Sequence, residues 1–318
     1  MDRRSFLKTG AVTTVAAGIG CGPDLLAASR KKSGRRSSPF KVDMPDVPGG
    51  LRVRFLGTGA ADWKMPDERG ENRRWTSILL DGRVLVDFTF RSEDMLPAGC
   101  RPEVIFYTHS HPDHYHPGAA LKAGVSRVYL GESWIKRGRD NFTEGASQLG
   151  MDVPEILPLA EGQTVDECGL RITALPANHG TGDINELTLM YLIEKGPVRL
   201  LYATDTGGIP YQAARRAGID KHQKHGQGIT GLIMEATMGM DFDEDWHIFN
   251  HSSVGTVLRT VHVLQESGRY HPAEGQPVFL THLSRKMHGT QAELDATLPS
   301  PLVAAYDGLE VCFKGSGL

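Results

Sequence analysis

The sequence has few cysteines, no excess of positive charge and no internal repeat of fixed period. Its four cysteines, Cys21, Cys100, Cys168 and Cys312, include no Cys-x-x-Cys pair, which excludes a cysteine zinc ribbon. Spacing does not decide whether a disulfide joins two of the last three. Because 35 basic and 38 acidic residues give a net charge of −3, we expect no stable nucleic-acid binding.

A hydrophobic run long enough to span a membrane is also lacking at the N-terminus. The apolar segment 10–20 is too short for a span and is typical of an export signal. It follows Arg3-Arg4, and the string Arg-Arg-Ser-Phe-Leu-Lys resembles a twin-arginine signal. We therefore expect export by the twin-arginine machinery to the periplasm or the medium. A cytosolic basic tail is the alternative interpretation.

The domain organisation follows from this N-terminus. Residues 1–40 are predicted to be the signal and a basic linker, and residues 50–318 to be one folded domain. Cleavage near 26–28 is one expectation, and a lipid anchor on Cys21 is another. The segment 30–38 is basic and polar, which is typical of a disordered linker.

Short strands and a few helices are predicted in the folded domain. Segments 76–80 and 83–87 flank Asp81-Gly82, a strong signal for a β-hairpin. Apolar residues recur at helical spacing over 252–266, behind the cap candidates Ser252 and Ser253. The mixture predicts an α/β domain in which sheets pack on each other and helices cover the outside.

One stretch, residues 108–116, carries most of the chemistry. It follows the apolar run 104–107, which reads as a buried strand. Three imidazoles and a carboxylate fall within six positions there, and these side chains suit zinc and other first-row divalent metals. The four candidate ligands are His109, His111, Asp113 and His114.

Three later apolar runs also end in a candidate ligand. They are followed by His179, Asp205 and His282, each with loop residues after it. A single histidine at a strand end is usually a packed core residue. Four such strand ends in one chain instead indicate a shared site at a sheet edge.

This order of ligands resembles that of the metallo-β-lactamase superfamily, over about residues 51–313. The resemblance implies a four-layer αββα sandwich with two metal ions at the sheet edge. It implies that one ion is held by His109, His111 and His179, the other by Asp113, His114 and His282, and that Asp205 bridges both.

The ligand types favour two Zn²⁺ ions, with Mn²⁺ or Fe²⁺ as alternatives. The oxygen-reducing di-iron branch of the family has a carboxylate where His111 stands, which argues against redox chemistry. Two neighbouring dications can share a hydroxide and so supply a nucleophile near neutral pH. The expected activity is therefore metal-dependent hydrolysis.

Further motifs resemble the ribonuclease Z and cyclic phosphodiesterase branch. They are Gly57-Thr58-Gly59-Ala60 and Glu235-Ala236-Thr237, followed by His251. The resemblance implies that Glu235 orients His251, which assists at the scissile phosphate. An ordinary strand-end carboxylate is the alternative for Glu235, and His247 is a rival for His251. The predicted catalytic residues are Asp113, Glu235 and His251.

Other residues are weaker candidates. Arg73 and Arg74 are either phosphate contacts or a solvated pair. For His116 and His288 the favoured prediction is a surface or supporting residue, and a pocket-lining residue is the alternative. The remaining histidines are predicted to be surface or packing residues: His222, His225, His262 and His271.

The substrate stays open because the branch's cysteine-rich zinc loop and basic transfer-RNA arm have no counterpart here. The favoured prediction is a phosphodiesterase acting on a small phosphodiester or cyclic phosphate. The alternatives are a hydrolase of lactams, lactones or thioesters, or a non-catalytic metal-binding protein of the envelope. The sequence does not determine the oligomeric state, and a homodimer is one option.

Overall fold

The structure, a computed structural model, describes residues 48–221 and 228–315. The predicted export signal and linker, the anchor candidate Cys21, and His222 and His225 lie outside these residues. The strands are β1 (Leu51–Gly57), β2 (Ser77–Leu80), β3 (Val84–Val86), β4 (Val104–Phe106), β5 (Arg127–Gly131), β6 (Glu155–Leu159), β7 (Thr164–Glu167), β8 (Leu170–Pro176), β9 (Leu189–Lys195), β10 (Val198–Ala203), β11 (Gly231–Glu235), β12 (Val278–Thr281), β13 (Leu302–Ala304) and β14 (Glu310–Phe313). The helices are α1 (Pro117–Ala123), α2 (Ile135–Leu149), α3 (Tyr211–Arg216), α4 (Val254–Glu266) and α5 (Gln291–Thr297).

The strands form two mixed sheets of seven strands each. The first has the order β14-β1-β2-β3-β4-β5-β6, and the second β13-β12-β11-β10-β9-β8-β7. Strands β3 to β6 are parallel neighbours, as are β10 to β13, whereas β1 and β2 run antiparallel to the strands beside them. It follows that β1, β3 and β4 point in the same direction.

Apolar side chains define four layers. One cluster joins inward-facing residues of both sheets, among them Phe55, Phe106 and Tyr191. A second packs α1 and α2 on the outer face of the first sheet, and a third packs α3, α4 and α5 on the second sheet. The predicted αββα sandwich is therefore confirmed. No helix among the described residues is both long enough and apolar enough to cross a membrane.

Local sequence explains several of these elements. The predicted hairpin forms between β2 and β3, with Ile78 opposite Val86. Asp81 and Gly82 both have positive φ angles, 47° and 72°, which is the backbone that a tight hairpin turn requires. Helix α4 starts where predicted, because the Ser253 side chain accepts a hydrogen bond from the backbone of the first turn.

Some expectations differ from the structure. The longest helix, α2, is not predicted from sequence, because only Gly138, Phe142 and Ala146 of its fifteen residues are buried. Helix α1 begins at Pro117, and His116 caps it by accepting a hydrogen bond from the Ala119 amide. The cysteines of the described region, Cys100, Cys168 and Cys312, are free thiols.

Loops from both sheets meet at one edge. The Leu189 amide donates to the Thr108 carbonyl across the sandwich, at 2.9 Å, and the Leu283 amide donates to the Thr58 carbonyl at 2.9 Å. At the end of β1, Gly57 lets the backbone of Trp75 approach closely, since a Cβ there would lie 1.9 Å from the carbonyl oxygen of Trp75. The carboxyl ends of β1, β3, β4, β10, β11 and β12 thus surround a common space.

Candidate metal centre

All seven predicted ligands come together at this edge of the sandwich. The loop after β4 supplies four of them, and the loops after β8, β10 and β12 supply one each. Three sets of ligand atoms, each within 4.8 Å of one another, could hold a metal ion; two of them share no residue, and the third, Asp205, His251 and His282, overlaps both. The first set is His109, His111, His179 and Asp205, and the second is Asp113, His114 and His282.

Asp205 lies between the two sets. Its Oδ2 is 3.6 Å from His109 Nε2 and 3.5 Å from His179 Nε2. Its Oδ1 is 3.3 Å from His114 Nε2 and 3.2 Å from His282 Nε2. Each carboxylate oxygen therefore faces a different set of imidazole nitrogens, which is the arrangement of a bridging ligand.

The spacing of the nitrogens fits a metal ion better than direct hydrogen bonding. His111 Nδ1 and His179 Nε2 lie 3.2 Å apart, as do the Nε2 atoms of His114 and His282. Ligand atoms around tetrahedral zinc, at about 2.0–2.1 Å from the ion, are separated by about 3.3 Å. Among the described residues, the buried Nε2 of His109 has no hydrogen-bond partner. The donors present therefore suit zinc.

The protonation of the site also suits a cation. Burial lowers the pKa of His109 well below its usual range, so its ring is neutral and its nitrogen lone pair is free. Burial alone would raise the pKa of Asp205, but the positive charges of His114 and His282 outweigh it and hold that pKa well below normal. His109 and Asp205 are thus in the forms that bind metal, neutral imidazole and anionic carboxylate. Burial alone would lower the pKa of His114, but the carboxylates of Asp205, Asp113 and Asp87 hold it well above its usual range, so this ring would release a proton when a metal binds.

Buried groups behind the ligands orient the imidazole rings. His114 Nδ1 is 2.8 Å from Asp87 Oδ2, and His282 Nδ1 is 2.7 Å from the Thr237 hydroxyl. His179 Nδ1 donates to the carbonyl of Asn250 at 3.1 Å. Such partners fix the tautomer and aim the other nitrogen at the metal.

The supporting role of Asp87 was not predicted from sequence. Asp87 is the last residue of the segment 83–87 predicted as a strand, but its neighbour across the sheet cannot be read from that segment. In the fold, β3 pairs in parallel with β4, so Asp87 also accepts hydrogen bonds from the Thr108 amide and hydroxyl, each at 2.8 Å.

Three residues of the site have left-handed backbone conformations. The φ angles are 53° at Asp87, 46° at Asp205 and 54° at His282. Asp and His tolerate this region better than most residues, yet it still costs conformational energy. The sharp turns they make direct these side chains from the strand ends into the site.

Glu235 and His251 form a pair beside the ligands. Glu235 is fully buried, and its Oε1 is 3.0 Å from His251 Nδ1. The Thr206 and Thr237 amides donate to the same carboxylate. Burial alone would lower the pKa of His251, but the charge and hydrogen bond of Glu235 raise it to about 9. The His251 ring stacks 4.8 Å from that of His179 and 5.6 Å from that of His282.

A family comparison agrees with this geometry. A model described as the beta-lactamase superfamily domain matches residues 83–273, more than half of the chain. The chain belongs to the β-lactamase superfamily. The match includes every candidate ligand except His282. A second model, for a twin-arginine translocation pathway signal sequence, matches residues 1–20, which supports export across the membrane.

Solved structures of superfamily members share the fold of this chain. The metallo-β-lactamase fold protein YhfI from Bacillus subtilis is 17% identical, with a TM-score of 0.57, covering 83% of this chain and 99% of its own. Human tRNase Z, short form, is 16% identical, with a TM-score of 0.58 and coverage of 83% and 99%. Zn²⁺-bound PqqB from Methylobacterium extorquens is 17% identical, with a TM-score of 0.55 and coverage of 82% and 99%. A search of curated proteins finds no match.

The other histidines near this β-lactamase superfamily site have structural contacts of their own. His247 pairs with Asp245 and stacks on Trp246, with ring centroids 3.9 Å apart. His288 Nε2 donates to the carbonyl of Ala236 at 2.6 Å. His247 is therefore not the partner of Glu235.

Both alternatives predicted for Arg73 were wrong, whereas Arg74 is half-buried and forms an exposed ion pair. Arg73 is buried and donates to the Thr58 hydroxyl and to the Ala305 carbonyl, so it is neither solvated nor exposed to substrate. Arg74 pairs with Asp94 and Asp307. A basic pair within a polar loop gives no sign of such burial, which depends on the distant segment 304–307.

Proposed function

We propose that the protein is an exported hydrolase that works with two divalent metal ions, favouring zinc. In this proposal one ion is held by His109, His111 and His179, the other by Asp113, His114 and His282, and Asp205 contacts both. The observation that carries the proposal is that each Asp205 oxygen faces a different set of imidazole nitrogens, at 3.2–3.6 Å. The Zn²⁺ bound by PqqB is consistent with these ligand types, and Mn²⁺ and Fe²⁺ are the alternatives.

The metals would supply an acidic water molecule and positive charge for developing oxyanions. The chain's own residues would supply the proton. His251 Nδ1 donates a hydrogen bond to Glu235 Oε1 at 3.0 Å, and the protonated ring carries its second proton on Nε2. A pKa of about 9 keeps this ring protonated at neutral pH, which suits a group that protonates a leaving alkoxide.

A phosphodiester or cyclic phosphate is the proposed substrate class. An alkoxide leaving group needs a proton donor, and the buried Glu235–His251 pair is built to hold one. The fold shared with human tRNase Z is consistent with phosphodiester chemistry. Asp113 is proposed as both ligand and catalytic residue, because its Oδ2 lies 3.4 Å from His282 Nε2 and 3.5 Å from His114 Nε2.

The decisive experiment combines metal analysis with substitution of His251. Purified protein is expected to contain two ions per chain and to hydrolyse bis-p-nitrophenyl phosphate. His251→Ala should lower kcat by about 10²–10⁴-fold on a cyclic nucleotide, whose alkoxide leaving group needs a proton, and by much less on bis-p-nitrophenyl phosphate, whose p-nitrophenolate leaves without one. His247→Ala is the matched control, since that ring lies four residues earlier and pairs with Asp245 instead; it should leave kcat within a factor of two or so.

Other outcomes separate the remaining functions. Turnover of lactams, lactones or thioesters that survives His251→Ala would favour the second hydrolase class. Metal-loaded protein that turns over no ester in a broad panel would favour a binding protein of the envelope. If the protein retains no metal after reconstitution, the proposal of a metal-dependent hydrolase is contradicted.

The proposal extends to cellular context. The protein is proposed to act in the periplasm or outside the cell after twin-arginine export, as a single hydrolase domain over residues 50–318. Whether Cys21 carries a lipid and whether the protein is a homodimer are separate questions, answered by mass spectrometry of the mature chain and by light scattering.

A further inference from the structure

Exposed apolar side chains are concentrated around the metal centre. Among the described residues, thirteen large apolar side chains are exposed to solvent, and more than half lie in four loops. Trp246 and Phe249 are 64% and 68% exposed, and Ile184 is 97% exposed. We call this set the apolar rim: Met65, Phe90, Ile184, Leu187, Met240, Trp246 and Phe249.

Strand direction places these four loops at one edge of the sandwich. The loops follow β1, β3 and β11, or connect β8 to β9. Strands β1 and β3 run with β4, β11 runs with β10 and β12, and β9 runs against β10. All four loops therefore leave at the edge that carries the candidate ligands.

Contacts between neighbouring loops show that the apolar rim surrounds the site. On one side, the Ser110 amide donates to Glu186 at 2.8 Å, which ties the loop of Ile184 to the ligand loop. The Gly180 amide then donates to the Asn250 side chain at 3.2 Å, which joins that loop to the segment of Trp246.

On the opposite side of the site, neighbouring loops are also in contact. A Cβ on Gly239 would lie 2.2 Å from the carbonyl oxygen of Met287, so these two backbones touch. The Arg285 amide donates to Asp62 at 2.9 Å, and the Phe90 ring packs 5.3 Å from that of His116. The exposed apolar groups are thus spread around the mouth of the site and not gathered in one groove.

We propose that the apolar rim docks on a layer of zwitterionic phospholipid. A single small molecule cannot touch side chains on all sides of the mouth, whereas a layer can. A protein bound at this surface would block access to the metal site, whereas a lipid layer would itself present substrate to it. The twin-arginine signal supports export across the membrane, so the protein meets a membrane surface on its far side.

Charge in the same loops indicates which lipids are recognised. Lys64 and Arg91 are near Met65 and Phe90, whereas the segment that holds Met240, Trp246 and Phe249 has no Lys or Arg and carries Asp241, Asp243, Glu244 and Asp245. The apolar rim therefore has no continuous basic patch to select anionic lipid. Docking therefore relies on apolar insertion and on the amphipathic Trp246 ring, and depends little on salt. Resting on the proposed function, the inference further implies that the phosphodiester belongs to a lipid-borne amphiphile.

The test measures binding of the full chain to phosphatidylcholine vesicles by flotation. Met240→Ser/Trp246→Ser/Phe249→Ser and, separately, Met65→Ser/Phe90→Ser remove apolar groups on opposite sides of the mouth. Each is expected to weaken vesicle binding by about tenfold or more, from the apolar area lost. The control, Met151→Ser/Val153→Ser/Val263→Ser, removes exposed apolar groups elsewhere and should bind like wild type. All chains share the same N-terminal segment, so their differences report on the apolar rim.

The outcomes distinguish this inference from the proposed hydrolase. Equal vesicle binding by the wild type and both rim variants overturns it, whatever the activity. Loss in only one variant, with a raised KM for a monomeric amphiphile, indicates a groove for one apolar group and also overturns it. A shift from dimer to monomer without change in vesicle binding would assign the surface to a second copy of the chain. Vesicle binding that depends on the apolar rim, with no hydrolysis of any diester, keeps the inference and rejects the proposed activity.

Discussion

Replacing Asp87 by Asn is expected to empty one half of the metal centre. Asp87 Oδ1 accepts from the Thr108 amide, and Oδ2 contacts both the Thr108 hydroxyl and His114 Nδ1, all at 2.8 Å. An amide has one acceptor oxygen. If that oxygen stays on the Thr108 amide, the amide NH₂ faces His114 Nδ1, which must then accept and move its proton to Nε2.

A proton on Nε2 of His114 removes a ligand. That atom is the one that lies 3.3 Å from Asp205 Oδ1. Loss of a supporting partner of this kind lowers metal affinity by about 10–100-fold, or about 1.4–2.7 kcal/mol. The set formed by His109, His111 and His179 has no direct contact with Asp87. It is linked to Asp87 through the Thr108 hydroxyl, which lies 2.9 Å from His109 Nδ1, so the first ion should lose less affinity than the second.

Competition with a chromogenic chelator, followed by elemental analysis, measures the two affinities. Asp307→Asn is the control, because Asp307 is also buried and accepts from the Thr58 hydroxyl and the Arg74 amide, but touches no candidate ligand. That variant should lose stability and keep both ions. An Asp87→Asn protein that binds both ions with wild-type affinity would refute the tautomer argument.

Two other substitutions probe the neighbouring features. Glu235→Gln removes the charge that raises the pKa of His251 to about 9, so His251 loses its proton at lower pH. The basic limb of the plot of kcat/KM against pH should therefore move down by about two pH units. A basic limb that does not move would mean that His251 is not the proton donor. Gly57→Ala places a Cβ 1.9 Å from the Trp75 carbonyl oxygen and should lower the free energy of unfolding, measured in urea, by at least about 2 kcal/mol. The control is Gly145→Ala in α2, where the nearest side-chain atom is 3.5 Å away. That substitution should be neutral or should stabilise the protein by up to about 1 kcal/mol.

Sequence predicted the ligands because each lies where a local pattern changes. An apolar strand ends, a histidine or aspartate follows, and a loop begins, as at His179, Asp205 and His282. The hairpin at Asp81-Gly82 was predictable for the same reason, since the turn chemistry is local. Such signals need only a few consecutive residues.

The remaining features depend on neighbours that are distant in sequence. Asp87 supports His114 only because β3 pairs with β4, and Arg73 is buried only because Thr58 and Ala305 lie against it. Helix α2 could not be recognised from sequence because most of its residues are not buried. Pairing of strands and burial of polar side chains are decided by tertiary packing, which a short segment does not encode.

The central position of the Asp205 carboxylate has a consequence for how the centre would be assembled. One rigid group of atoms serves both ligand sets, and its backbone is held in a left-handed turn with a φ angle of 46°. It cannot rotate toward one set without leaving the other. The first ion to arrive therefore aligns the carboxylate for the second, and uptake is expected to be cooperative, each ion strengthening the other's hold by the same factor.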